Sequence, residues 1–131
     1  KMNRETNQDP TRENIRRNML VHLDNPELVT DQLVEYMYEN ANSHPDHREA
    51  RLSSTTVPHS NLADLPKIKS PVLIIHGRYD RMVPVEVGLA VMNYLSDSRL
   101  IIFNNCGHWP PYEYPQEYNR QVLNFLKSTG A

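Results

Sequence analysis

The chain has 131 residues, a formal net charge of −2 and a hydrophobic share of 38%. That length suits one ordinary domain, and the mixture of acids and bases gives no basic footprint for nucleic acid or an anionic membrane surface. No apolar run approaches the ~20 residues that a bilayer span needs, and a single cysteine, Cys106, excludes an internal disulfide and suits a reducing, cytoplasmic setting.

Residues 1–10 are polar and end in Pro10, so a loop or frayed end is expected. The start at Lys1, without an initiator methionine or a signal-like segment, points to a fragment or a processed product. From Thr11 the pattern is helical: Ile15, Met19 and Leu23 recur at spacing four, with Arg12, Arg16 and Arg17 off the stripe. Asp24-Asn25-Pro26-Glu27 breaks that helix and offers a cap. Thr30 is a second cap candidate, followed by the apolar face of Leu33, Val34, Met37, Tyr38 and Ala41. Residues 45–51 could add a short helix entered through Pro45. These stripes are narrow, and such helices are expected to cover something else and to form little core alone.

Residues 52–70 read as a linker with a turn of helix around Asn61–Leu65. The character then changes. Val72-Leu73-Ile74-Ile75 and Leu100-Ile101-Ile102-Phe103 are apolar without alternation, as in parallel strands covered on both faces. Between them Pro84 suits a first helical position, and Val87, Val91, Tyr94 and Leu95 form a stripe. Pro115 opens a last helix with Tyr118, Val122, Phe125 and Leu126 on one face. Strand, helix, strand, helix is a parallel α/β pattern. Two strands do not make a stable sheet, so further strands are expected from an upstream part of the same protein.

Functional groups of open α/β sheets gather beyond the carboxyl ends of the strands. Asp80 and His108 both fall there, 28 residues apart. Histidine takes and returns a proton near neutral pH. A carboxylate on its Nδ1–H fixes the tautomer and stabilises the imidazolium. His108 is therefore the candidate catalytic base and Asp80 its orienting acid. Gly107 is expected to turn the backbone sharply just before the base. No nucleophile is apparent: Ser53, Ser54, Ser60, Ser70, Ser96, Ser98 and Ser128 all lack a G-x-S-x-G elbow. Cys106 reads as a small buried side chain.

Trp109, directly after the base, and Val83, three residues past the acid, are candidate substrate-binding residues. Tyr112 and Tyr114 are expected to anchor the final helix. His44, Asp46 and His47 match no strong metal motif and read as a solvated loop, so no metal is expected. His22 and His59 have no evident partners and read as structural or exposed.

At these residues the sequence resembles the α/β-hydrolase fold superfamily. Ser70-Pro71-Val72-Leu73-Ile74-Ile75-His76-Gly77-Arg78-Tyr79-Asp80-Arg81-Met82-Val83-Pro84 resembles the strand and loop that deliver the triad acid. Cys106-Gly107-His108-Trp109-Pro110 resembles the triad histidine loop. Within the superfamily the chain is most similar to the meta-cleavage product hydrolases, which cut a carbon–carbon bond in ring-fission products of aromatic degradation. Trp109, the Arg81-Met82-Val83-Pro84 loop and the Glu117-Tyr118-Asn119-Arg120 run carry that likeness.

The resemblance implies a fold class of α/β, with residues 1–58 as part of a helical lid and residues 59–131 as the C-terminal part of the core. It implies a small-molecule substrate, a homodimer or higher homo-oligomer, and no cofactor. The serine nucleophile and oxyanion hole are then expected in the N-terminal half. One position departs from the family pattern. An arginine in the lid commonly holds the substrate's carboxylate, and its equivalent here is Met37, which cannot pair with a carboxylate. An α/β-hydrolase acting on an ester, lactone or halide therefore stays open, as does a non-catalytic binding module of the same fold.

Overall fold

The computed structural model describes residues 6, 8–43, 46, 49–50 and 61–130. Helix α1 runs Arg12–His22, and its start follows from Thr11, whose hydroxyl accepts the Asn14 N–H. A 3-10 turn, Pro26–Leu28, is capped by the Asn25 side chain. Thr30 then caps helix α2, Asp31–Ser43, through the Leu33 N–H. The two helices form a hairpin. Arg12 pairs with Glu35 and lies over the Tyr38 ring, and Arg16 reaches Asp31 and the Val29 carbonyl.

The hairpin corrects one expectation. Its stripes do form a core: Ile15, Met19, Leu23, Val29, Leu33 and Val34 make one buried cluster, with Leu28, Met37, Tyr38, Ala41 and Trp109 packed around it. Each narrow stripe faces the other, and fully burying an aliphatic side chain is worth about 1.5–3 kcal/mol. Among the described residues of the first ten, Thr6 and Gln8 are helical and Pro10 is buried, so this segment is not simply loop. Of the helix expected over 45–51, Asp46, Glu49 and Ala50 are helical and the other positions lie outside the described residues.

The second half follows the expected order. Strand β1 spans Val72–Gly77, helix α3 Val85–Met92, strand β2 Ser98–Phe103, a short helix α4 Pro110–Glu113, and helix α5 Pro115–Thr129. The strands pair in parallel, with Val72 opposite Ser98 and Gly77 opposite Phe103. Gly130 ends α5 in the left-handed conformation, φ 74°, as a C-terminal glycine readily does. Before β1, the 3-10 turn is at Leu65–Lys67 and takes Pro66 into its first residues, where proline's missing N–H costs nothing.

The strands were expected to be covered on both faces, but β1 is mostly half-buried and Ile102 is 44% exposed. A two-stranded sheet has too little width to bury itself. Its two faces are nonetheless distinct. Ile74, His76 and Leu100 face α3 at Gly88, while Leu73, Ile75 and Ile101 face α5 across open clefts. The α3 face also differs from the expected stripe. Gly88 is its buried residue, Val87 and Tyr94 are exposed, and Pro84 caps the helix instead of opening it.

Candidate active site

Parallel strands deliver their following loops to one end of the sheet, and here those loops meet. Arg78 N–H donates to the Phe103 carbonyl and Tyr79 N–H to the Cys106 carbonyl, at 2.9 Å each. The approach is so close that a Cβ on Gly77 would stand 1.9 Å from the Gly107 oxygen. Asp80 and His108 are thereby brought side by side. His108 Nδ1 lies 2.8 Å from Asp80 Oδ2. A carboxylate only accepts, so Nδ1 carries the proton and the Nε2 lone pair is the free basic site.

The other oxygen of Asp80 is engaged too. Oδ1 accepts the N–H groups of Met82 at 2.7 Å and Val83 at 2.9 Å. The Asp80 side chain is 5% exposed. Burial alone would raise its pKa, but the hydrogen bonds from His108 and from the Val83 and Met82 N–H groups outweigh it, and the carboxyl is held below its ordinary range. Asp80 is thus an anion at neutral pH, fixed in one orientation and aimed at the imidazole. His108 is 33% exposed, and an open cleft of about 440 Å³ adjoins it, bounded by Leu73, Ile75, Pro110, Pro111, Tyr118, Val122 and Phe125.

The histidine loop is shaped differently from expectation. The left-handed residue is Asn105, φ 51°, and not Gly107. Asparagine tolerates this conformation better than most residues. Gly107 answers a different need: a Cβ there would lie 2.3 Å from the His22 carbonyl oxygen and 2.9 Å from the Asp24 nitrogen. The hairpin backbone comes directly onto the loop, and the His108 N–H donates to the His22 carbonyl at 2.6 Å. That carbonyl belongs to the last turn of α1, where no intrahelical partner remains. Arg81, from the acid loop, donates to the Leu20 carbonyl of the same turn at 2.9 Å.

Glu113 and His76, which carry no role in the sequence reading, sit in this junction together with His22, which reads there as structural or exposed without evident partners. Glu113, at the end of α4, accepts the Gly107 N–H at 2.6 Å, the Asp24 N–H at 2.9 Å and the Asn25 N–H at 3.2 Å. His22 is buried, its Nδ1–H donating to the Asn18 carbonyl at 2.8 Å, and its ring stands 5.4 Å from the His108 ring and 5.6 Å from Trp109. His76 Nε2–H donates to the Val83 carbonyl at 2.8 Å. The only local signal for Glu113 was an acid five residues past the base; nothing local marked either histidine.

Trp109 is placed against the hairpin cluster and beside the His22 and Tyr112 rings. Val83 is placed by its backbone, which holds Asp80 on one side and His76 on the other. Tyr112 and Tyr114 do more than anchor α5: Tyr112 reaches the Leu28 carbonyl and Tyr114 the Asn105 carbonyl, at 3.4 and 3.0 Å. Cys106 is fully buried, and burial, followed by the nearby Glu113 carboxylate, pushes its thiol up to about 12. Such a thiol is no nucleophile at neutral pH.

Ser70 and Ser98 stand at the amino ends of the strands, opposite the His108 end, and Ser96 is held at the Ile68 carbonyl beside them. His44, His47, His59, Ser53, Ser54 and Ser60 lie outside the described residues. Among the described residues no cluster of three or more His, Cys, Asp or Glu could hold a metal ion.

A parallel β–α–β unit that places an oriented carboxylate–imidazole pair beyond its strand ends has the geometry that an acid–base pair of a hydrolase requires. The alpha/beta hydrolase fold model matches residues 4–115, and the chain belongs to that family. It is 36% identical over 123 residues to the 2-hydroxy-6-oxononadienedioate/2-hydroxy-6-oxononatrienedioate hydrolase of Burkholderia vietnamiensis, a match covering 91% of this chain and 43% of that protein.

It is similar in structure to the meta-cleavage product hydrolase of Pseudomonas fluorescens, with a TM-score of 0.80 and 30% identity over 90% of this chain and 46% of that one. The 2-hydroxy-6-oxo-6-phenylhexa-2,4-dienoate hydrolase of Rhodococcus shares the fold, with a TM-score of 0.78 at 23% identity over 95% of this chain and 47% of that one. The chain therefore spans less than half the length of these relatives.

Proposed function

We propose that this chain supplies the acid and base of a serine-type hydrolase that cleaves a carbon–carbon bond in a meta-ring-fission product of the 2-hydroxy-6-oxo-dienoate type. The observation that carries the proposal is the Asp80–His108 pair, with Nδ1 bound to the carboxylate at 2.8 Å and Nε2 left as the base. The names of the relatives supply the substrate class. In this reading His108 activates a serine or a water held by a part of the protein outside these residues. His108 then returns the proton to the leaving group, and Asp80 stabilises the imidazolium between the two steps. Backbone N–H groups near the nucleophile supply the oxyanion hole. The 440 Å³ cleft between β1 and α5 is where the remainder of the core meets the base.

The α1–α2 hairpin acts as the lid, with Trp109 and Val83 at the edge of the substrate cavity. The protein works as a cytoplasmic homo-oligomer on a small molecule. No helix among the described residues is long and apolar enough to cross a membrane. One observation favours a second reading, ester hydrolysis. Met37 packs on the apolar hairpin cluster and offers no charge to a substrate carboxylate.

The test is His108→Ala in the natural full-length chain, assayed on ring-fission dienoates and on p-nitrophenyl esters. Loss of roughly 10⁴-fold or more in kcat is expected, because base and nucleophile act as a unit. Undiminished turnover would remove His108 from the mechanism. Turnover of esters alone would select the second reading.

A further inference from the structure

A second imidazole stands at the acid. His76 projects from β1 toward α3, and its Nε2 lies 3.6 Å from Asp80 Oδ2, the same oxygen that binds His108. His76 is largely buried, its side chain 11% exposed. Its Nε2 is also 2.8 Å from the Val83 carbonyl oxygen. A carbonyl only accepts, so Nε2 is protonated and donates. Val83 is thus gripped at both ends: its N–H donates to Asp80 Oδ1 and its carbonyl accepts the His76 Nε2–H. The loop that orients the acid closes back onto the strand through this one side chain.

The other side of the His76 ring faces α3 at Gly88. A Cβ at Gly88 on α3 would stand 3.2 Å from His76 Nδ1 and 3.3 Å from Leu100 Cδ1. Glycine there lets the helix approach the ring where a Cβ would crowd it.

We propose that His76 is a positioning residue for the triad acid: through the Val83 carbonyl and its place beside Oδ2, it holds the Asp80 carboxylate where it fixes the His108 tautomer. It touches no reacting atom. Its effect passes through the Met82 and Val83 N–H groups to Asp80, and from Asp80 to His108. This inference rests on the hydrolase reading for its kinetic readout but not for its spectroscopic one.

The experiment uses the natural full-length chain with His76→Phe, which keeps an aromatic ring but has no donor, and His76→Gln, whose amide N–H replaces the Nε2 donor. Kinetics and ¹⁵N-histidine NMR of the His108 Nδ1–H are read together. In H76F, kcat is expected to fall on the order of tenfold with KM within about twofold, as for a reacting group displaced by a fraction of an ångström. The Nδ1–H signal is expected to broaden or exchange away, and H76Q is expected to recover both.

Wild-type kcat and an intact Nδ1–H signal in H76F overturn the proposal, as does an H76Q variant as impaired as H76F. Should H76F not fold, Gly88→Ala decides. It pushes on the ring while helix propensity favours the change, so a lower kcat at unlowered Tm supports the proposal and an unchanged kcat refutes it. If the wild type turns over none of the substrates, the functional reading falls, and the Nδ1–H comparison still decides the role of His76.

Discussion

Glu113→Ala should be among the most damaging single changes outside Asp80 and His108. Its carboxylate accepts three backbone N–H groups from two separate segments, the histidine loop and the end of the hairpin helix. Gly107 is buried and Asp24 half-buried, while Asn25 is exposed and can turn to water. Leaving a buried donor unsatisfied costs about 1–3 kcal/mol, with charged acceptors toward the upper end. Counting Gly107 fully, Asp24 in part and Asn25 hardly at all gives a loss of roughly 2–4 kcal/mol.

Glutamine is not a conservative replacement here. Oε1 and Oε2 each face N–H donors, so the amide NH₂ must confront one of them, and E113Q should still lose about 1–2 kcal/mol. Urea unfolding followed by the single tryptophan, Trp109, reads the junction directly, since that ring packs on the hairpin cluster. With a slope near 2 kcal/mol per molar, typical of small proteins, the E113A midpoint should drop by about 1–2 M. An E113A midpoint equivalent to less than about 0.5 kcal/mol of loss would refute the reasoning, and with it the view that this carboxylate joins the two segments.

Asp80→Asn keeps an oxygen for the Met82 and Val83 N–H groups but turns an amide NH₂ toward His108. The imidazole must then protonate Nε2 to accept at Nδ1, which blocks the base, and kcat should fall by about 10⁴-fold. The same variant tests the acid limb of stability. Asp80 has a depressed pKa in the folded state, so its contribution is complete above the ordinary carboxylate pKa of about 3.9 and drains as pH falls through the lower folded value. The wild type should therefore lose urea resistance more steeply than D80N below about pH 4, and parallel curves would contradict this. Cys106, with its thiol pushed up to about 12 and its side chain fully buried, should resist alkylation at pH 8 until denaturant is added. Rapid labelling of the native protein would show the buried geometry to be wrong.

Periodicity and punctuation carried the elements well, because their causes are local. Thr11 and Thr30 cap helices with their own hydroxyls, and the two apolar tetrads become paired strands. Asp80 and His108 were legible because each follows a strand, and parallel strands deliver their loops to one end. What escaped has non-local causes. Glu113 is a clasp only because residues 24 and 107 converge on it. His76 and Gly88 meet only once α3 folds onto β1. Gly107 was expected to supply a turn, yet its role is to admit a carbonyl from 85 residues upstream, and no window of sequence around it contains that information. The hairpin core was missed for the same reason: each stripe is narrow alone and sufficient against the other.

The contact between the His22 carbonyl and the His108 N–H makes this hairpin a poor candidate for exchange. A graft from another α/β hydrolase would have to bring a helix end whose carbonyl arrives within hydrogen-bond reach of the base, over a residue without a Cβ, and with two further N–H groups aligned on Glu113. A hairpin chosen without regard to these contacts would satisfy none of these conditions. It would perturb His108 through that backbone contact alone. An exchange is therefore better confined to α2, leaving the last turn of α1 and residues 24–25 as part of the His108 loop's own scaffold.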